Sequence, residues 1–396
     1  MHVVRLKKGK EKAVLQLHPW VFSGAVESVK GKPENGEIVM LTDNKGDFLA
    51  YGFYNDRSRV SVRLLEWNKD AEINEDWWRS RIGKAVRARQ ELMSSEDTNT
   101  YRVIFSEADF LPGLIVDRFA DYLSVQILTS GMERNKQVIL DTLQALLNPL
   151  GIFDRSDASA RSHEGLEASS GGILSGQEPP EFVTVKENSV LYDVNISAGQ
   201  KSGFYCDQRD NRRIVSEHVS GKRVLDCFSY SGGFSLNALK QNAAEVTSVD
   251  SSALALETLG RNIEINNFGA AAHRLIQSDV NKQLRNFRES GEQFDIIVLD
   301  PPKYAPSRSA LNKASRAYKD LNRQAMLLLT EGGLLATFSC SGAIDITTFK
   351  QILAWAALDA GKEVQFIYQF SQPGDHPIRS SFPEGEYLKG LLCRVF

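Results

Sequence analysis

Cys340 stands in the run Thr337-Phe338-Ser339-Cys340-Ser341-Gly342, directly after an apolar stretch that reads as a strand. Most cysteines serve as small buried hydrophobes, and Cys227 and Cys393 read that way. A thiolate leaving a strand into a Ser-Gly turn can instead attack carbon 6 of a pyrimidine. That attack makes carbon 5 an enamine-like nucleophile, which is otherwise too weak to take a methyl group from a sulfonium. A second chemical group is Asp300-Pro301-Pro302-Lys303-Tyr304, which follows the apolar run FDIIVL. Two prolines fix φ and remove donors, so the chain leaves the strand rigidly and its carbonyls can hold the edge of a planar base. A merely stiff turn would explain the prolines, though not the adjoining Asp300 and Lys303. Two further carboxylates, Asp250 and Asp279, close or just follow earlier strands. Asp250 suits ribose hydroxyls, Asp279 the exocyclic amine of adenine, and Asp300 the place where cofactor and substrate meet. Each alone also reads as a helix N-cap; three at successive strand ends favour a nucleoside site.

These groups need a scaffold, and Lys222 to Asp250, KRVLDCFSYSGGFSLNALKQNAAEVTSVD, supplies its first part: strand, glycine turn, helix, strand. In such a βαβ unit a ligand sits beyond the carboxyl ends of the strands, at the first turn. FSYSGGF lacks both the G-x-G-x-x-G spacing of a dinucleotide site and the Gly-Lys-Ser/Thr of a P-loop. A nucleoside site without a phosphate cradle points to S-adenosylmethionine, although this stretch alone also fits a βαβ unit of another α/β enzyme. After Asp250 the alternation continues: helix 253–266, strand HRLIQ, a helix to about 288, strand FDIIVL, helix 311–329, strand LLATF and helix 346–360. The last two strands, VQFIYQF and YLKGLLCRVF, are joined without a crossover helix and must be antiparallel. The expected fold class is α/β, a Rossmann-like domain with a mostly parallel seven-stranded sheet and one antiparallel strand.

Upstream, residues 1–68 carry short strand-like runs between turn residues and predict a small β-barrel domain. In it His18 and Trp20 read as core or turn residues. Residues 70–190 predict a small α+β domain, with a helix over 72–92, another over 134–147, and a Ser/Gly-rich loop at 156–180. Residues 191–396 complete the chain as the third domain. Arg79, Arg81, Lys84, Arg87 and Arg89 form a basic stripe on the first helix, suited either to RNA or to solvent. The net charge of -3 does not advertise nucleic-acid binding, but residues 1–12 hold five Lys/Arg against one Glu, and 303–323 hold six against one Asp. No apolar run is long enough for a membrane span, and MHVVRLKKGKEK lacks the apolar core of a signal peptide, so a cytoplasmic location without membrane partners is expected. Four scattered cysteines and six dispersed histidines give no metal-ligand spacing and no disulfide framework.

DCFSYSGGFS, TSVDSS, VLDPPKYA, TFSCSG, DHPIRSSFPEGEYLKGLLCRVF, GQKSGFYCDQRDNRR, LPGLIVDRF and HPWVFSGAV together resemble the RlmI-type methyltransferases, which form 5-methylcytidine in bacterial large-subunit (23S) ribosomal RNA. The resemblance spans nearly the whole chain. It implies a PUA-like RNA-binding domain at 1–68, a central α+β domain at 70–190 and a methyltransferase domain at 191–396. It implies Cys340 as nucleophile and Asp300 as the group that orients and helps protonate cytosine, with Pro301, Pro302 and Lys303 at the substrate. Phe228, Ser229, Gly232, Asp250, Ser251, Asp279 and Asp300 would line the S-adenosylmethionine site, and Arg209 would reach the cofactor's carboxylate. Ribosomal RNA is the implied partner, and a homodimer is left open. Lys303 departs from other RNA cytosine methyltransferases, many of which carry a second cysteine there, so the base that removes the carbon-5 proton stays unassigned. Two alternatives remain: a guanine or adenine nitrogen methyltransferase, which has no use for Cys340, and a non-catalytic RNA-binding assembly factor.

Overall fold

The computed structural model describes residues 1–93, 96–197, 199, 203–304 and 310–396. The chain divides into two compact units: Met1–Val185 with Val194–Cys206 and Gly374–Gly385, and Lys186–Asp193 with Asp207–Pro373 and Glu386–Phe396.

The first unit opens with β1 (His2–Leu6), α1 (Lys12–Leu15), β2 (Trp20–Phe22), β3 (Val26–Lys30), β4 (Ile38–Thr42), β5 (Phe48–Tyr54) and β6 (Val60–Glu66). They form one sheet in the order β2-β6-β5-β4-β1-β3. Alternation along the strands puts Val4, Leu6, Val39, Leu41, Val62 and Leu64 on one face, where they make a core. The short β2 and α1 were not read from the sequence, because three or four residues carry no usable periodicity.

Next come α2 (Glu75–Leu92), β7 (Thr100–Phe105), β8 (Leu114–Phe119), β9 (Tyr122–Ile127), α3 (Ser130–Arg134), α4 (Lys136–Leu147), β10 (Gly151–Asp154), α5 (Ala158–His163) and β11 (Gly172–Gly176). Their sheet runs β11-β10-β9-β8-β7. Asn74 caps α2 by accepting from the Trp77 amide, and Trp78, Ile82, Ala85 and Val86 bury its apolar stripe. The basic stripe divides. Arg89 is buried and pairs bidentately with Asp109 at 2.7 Å on both nitrogens, and Arg81 meets Glu66 at 2.9 Å under the Trp77 ring. Only Arg79, Lys84 and Arg87 of the five face solvent. Residues 156–180, read as loop, hold α5 and the edge strand β11, whose glycines Gly172 and Gly176 take positive φ. Composition marked the glycines but not the pairing that orders them. His18 and Trp20 pack against Phe382, as structural residues do.

Gly374–Gly385, inside the expected C-terminal domain, belongs to this first unit. There the Asp375 carboxylate accepts the Arg102 amide at 2.9 Å, and Arg379 lies 4.0 Å from the Phe110 ring centroid. Burial, reinforced by the nearby charge of Arg81, pulls the Arg379 guanidinium down to about 10.

A two-stranded sheet of β12 (Val183–Glu187) and β13 (Val190–Val194) precedes the second unit's main body. That body is α6 (Arg209–Ser216), β14 (Arg223–Cys227), α7 (Gly233–Lys240), β15 (Glu245–Asp250), α8 (Ala253–Ile265), β16 (His273–Gln277), α9 (Val280–Ser290), β17 (Phe294–Leu299), α10 (Leu311–Leu328), β18 (Leu329–Ser339), α11 (Ile346–Ala360), β19 (Val364–Ser371) and β20 (Lys389–Val395). The seven strands from β14 onward run β16-β15-β14-β17-β18-β20-β19, and β20 alone is antiparallel to its neighbours. Ile296, Ile297, Val298 and Leu299 are buried because helices cover both faces of a parallel sheet, so β17 reads as a continuous apolar run. The order reverses beside β14, and the carboxyl ends of β14, β15, β17 and β18 meet there, where open α/β sheets bind ligands.

Candidate active site

The turn after β14 is built from unusual backbone. Phe228 and Tyr230 have φ of 62° and 48°, and Gly232 has φ of 91°. Side chains rarely tolerate that region, so two such non-glycine residues in one turn are held by their surroundings. The holding groups are visible. The Tyr230 amide donates to Asp250 Oδ2 at 2.9 Å, the Ser229 amide to the Val249 carbonyl at 3.2 Å, and the Asn262 side chain to the Ser231 carbonyl at 3.0 Å. Gly232 caps α7 at positive φ, and a Cβ there would sit 2.1 Å from Leu259 Cδ1, so any side chain would be strained and would push Leu259 aside.

Beneath the turn, Asp226 is fully buried and accepts both the amide and the hydroxyl of Ser235, at 3.0 and 2.6 Å. Burial first, and the charge of Asp300 in addition, push its carboxyl up to about 7 against the lowering hydrogen bonds of Ser235. In the sequence Asp226 only closes the apolar run Val224-Leu225. Its role beneath the helix N-terminus depends on Ser235, nine residues on, and was not foreseen.

The cofactor candidates gather on this side of the sheet. Asp250 ends β15; its other oxygen accepts the Ser252 amide at 2.9 Å, so the carboxylate fixes two backbone segments and keeps lone pairs for a diol. Ser229 is 5% exposed, and its Oγ has no hydrogen-bond partner among the described residues, which suits a hydroxyl that a ligand completes. Phe228 packs partly buried against the core, and Ser251 is exposed beside Asp250. Asp279 caps α9 through Oδ1, which accepts the Lys282 amide at 2.9 Å, so both readings of that residue are compatible with one carboxylate. Arg209 opens α6 and is buried, with Nε 3.2 Å from Asp210. On the same helix Arg212, which the sequence reading passed over, packs on the turn: its Nε lies 2.4 Å from where a Gly233 Cβ would be, while Glu187 holds its other end at 2.8 Å. An orphaned buried hydroxyl, a carboxylate at the second strand end and a turn without phosphate-binding amides fit S-adenosylmethionine.

On the substrate side, the parallel register pairs Leu299 of β17 with Thr337 of β18, so Asp300 and Cys340 leave neighbouring strands at the same edge. Pro301 is buried, and Pro302 and Lys303 are exposed. Tyr304 packs at a tilt against Tyr318 of α10 with centroids 4.9 Å apart, and burial first, with the Tyr318 and Asp279 charges, pushes its phenol up to about 12. Tyr318 lies within electrostatic range of both Cys340 and Asp300, and burial chiefly raises its own phenol. Its hydroxyl accepts from Ser339 Oγ at 3.1 Å and lies 3.3 Å from Ser341 Oγ, bracketing Cys340. Cys340 is partly exposed, whereas Cys206, Cys227 and Cys393 are buried. Burial pushes the Cys227 and Cys393 thiols well up, as expected of inert hydrophobes. Residues 305–309 of the expected basic segment lie outside the described residues.

Comparison with known proteins shows the family and the fold. A PUA-like domain profile matches residues 4–67, and an S-adenosylmethionine-dependent methyltransferase profile matches residues 112–391. Ribosomal RNA large subunit methyltransferase I of Photobacterium profundum is 45% identical over 99% of both chains. The proteins of the same name from Erwinia tasmaniensis and Escherichia coli are 44% and 42% identical over 98% of both chains. Two solved methyltransferase structures, one complexed with SAH and one from Streptococcus mutans, superpose with TM-scores of 0.86 and 0.85 at 22% identity, each covering 100% of both chains, and show the same fold. The chain therefore belongs to the S-adenosylmethionine-dependent methyltransferases with an N-terminal PUA-like domain, in the group named ribosomal RNA large subunit methyltransferase I.

Proposed function

We propose that this enzyme methylates carbon 5 of a cytosine in 23S ribosomal RNA through a covalent adduct on Cys340. The observation that carries the reading is the placement of Cys340: it is partly exposed at the exit of β18, beside the exit of β17 that bears Asp300. S-adenosylmethionine, when bound, supplies an electrophilic methyl group on sulfur. The Cys340 sulfur forms a bond to carbon 6 of the ring, and Asp300 orients the base and delivers a proton to its N3 so that electron density collects at carbon 5. Once carbon 5 carries the methyl group, loss of its proton to water or a carboxylate expels the thiolate, N3 returns its proton to Asp300, and the ring is restored. Pro301, Pro302 and Lys303 hold the base edge. Phe228, Ser229, Gly232, Asp250, Ser251 and Asp279 hold the cofactor, with Arg209 at its carboxylate.

Ribosomal RNA as substrate rests on the names of the relatives and on the PUA-like domain. That substrate supports a cytoplasmic location; among the described residues no helix is long and apolar enough to cross a membrane. We carry forward the three-part division at 1–68, 70–190 and 191–396, and the homodimer, as proposals that limited proteolysis and sedimentation velocity test. The decisive experiment maps 5-methylcytidine in 23S ribosomal RNA from cells with and without the gene, then repeats it with Cys340→Ser. A mark that depends on the gene and vanishes in the variant supports the reading. A nitrogen-methylated purine in its place overturns it.

A further inference from the structure

The mechanism above uses Cys340 and leaves unexplained a cation buried next to it. Lys389 is the first residue of β20 and is 6% exposed. The antiparallel ladder sets it opposite Ser339, the last residue before the cysteine. Its Nζ donates to the carbonyls of Ser341 and Ile344 at 2.9 and 2.7 Å, so two of three ammonium donors close the turn that Cys340 enters. Tyr318 holds the same turn from α10 through Ser339 and Ser341. Burying a lysine is costly, and a turn could be closed by a neutral amide at lower cost. A buried ammonium is better accounted for by an anion that it faces.

We propose that Lys389 is a positioning residue that fixes the Cys340 turn and stabilises the Cys340 thiolate; the inference rests on the reading of Cys340 as nucleophile. The charges around Lys389 are consistent with this. Burial chiefly lowers its own titration and Lys303 adds to that, while Cys340, Glu386 and Asp345 raise it, with Cys340 the largest of the three. Tyr318, whose phenol burial holds neutral, stands near Cys340 on α10, and Asp300 stands beside it at the exit of β17, where a carboxylate opposes the lysine's effect. A thiol beside a fixed cation ionises below its ordinary range, which gives a nucleophile at neutral pH without a histidine.

The test reads the thiol directly. Native protein is pulsed with iodoacetamide across pH 5.5–10, and alkylation of Cys340 is followed by mass spectrometry; the three buried cysteines serve as internal controls. In the unsubstituted protein the midpoint is expected about one unit or more below that of a free thiol. Lys389→Met is expected to raise it by about one unit, with about tenfold slower alkylation at neutral pH, and Lys389→Arg to restore most of the shift. An ordinary midpoint in the unsubstituted protein overturns the proposal even if Lys389→Met does not fold. So does an unchanged midpoint in Lys389→Met accompanied by lost methyl transfer, which would mark a purely structural tether. The nucleophile reading fails separately, when Cys340→Ala still transfers methyl groups, and that result leaves the alkylation profile as it was.

Discussion

The carboxyl ends of β14 and β18 each present a cysteine, and they use it differently. Cys227 is the last residue of β14, fully enclosed in the core, and burial keeps its thiol protonated. Cys340 lies one residue beyond the end of β18, partly exposed, in a turn tied by a tyrosine and a lysine. A single position relative to the strand's last rung separates a packing group from a candidate nucleophile. The two turns also differ in stiffness. The β14 turn runs through positive φ at Phe228, Tyr230 and Gly232, where the backbone itself shapes a binding surface. The β18 turn is ordinary backbone closed by side-chain hydrogen bonds. In the proposed reading, one end presents main chain to a nucleoside and the other a side chain to a base.

The largest contrast is catalytic. Cys340→Ala is expected to cut methyl transfer by about a thousandfold or more, whereas Cys227→Ala leaves it within about threefold and costs roughly 1–2 kcal/mol of stability from a small cavity. Single-turnover assays and urea unfolding measure the pair, and equal losses of activity would erase the distinction. The next contrast is between the glycines of the two turns. Gly232→Ala meets Leu259 in a left-handed position and is expected to cost about 2–4 kcal/mol and to weaken S-adenosylmethionine binding in calorimetry. At Gly342 a Cβ meets nothing within 4 Å, so Gly342→Ala should change stability by less than about 1 kcal/mol.

Asp226 gives the β14 end a pH dependence. Its carboxyl titrates at about 7 when folded against an ordinary 3.8, so the folded protein binds the extra proton. This contribution to stability is complete below the ordinary value and is lost as pH rises through 7, with a slope of at most about 1.4 kcal/mol per unit. Melting temperatures should fall from pH 5 to pH 8, and Asp226→Asn should flatten that fall; a variant that keeps the full slope assigns it elsewhere. A modest effect is expected at the β18 end. Tyr318→Phe removes one hydroxyl shared by Ser339 and Ser341 and should cost about 1 kcal/mol, with methyl transfer reduced severalfold.

Much of this was legible in the sequence because strand ends announce themselves. Asp250, Asp279, Asp300 and Cys340 each follow an apolar run, and alternation with helices required those runs to be parallel and their ends to share one edge. The antiparallel β20 was legible because the polar connection before it carries no crossover helix. What sequence spacing cannot carry is pairing across long separations. Lys389 is 49 residues from Cys340 and reads as one cation in a strand, and only the β18–β20 register brings it to the turn. Tyr318 is one residue inside an expected helix, and Asp226 closes a short apolar run. Arg81 and Arg89 failed in the opposite direction, since a basic stripe does not reveal that Glu66 and Asp109 wait for two of its members. Positive φ at Phe228 and Tyr230 was hidden because those side chains give no local sign of it.

Gly374–Gly385 leaves the strand pair β19–β20 to join the first unit, so the polypeptide passes between the units several times rather than once. A chimera spliced near residue 190 onto a foreign amino-terminal half would keep Asp375 and Arg379 but lose the Arg102 amide and the Phe110 ring they use. Recombination at that seam is therefore penalised, and the two halves are expected to be inherited together and to resist modular exchange.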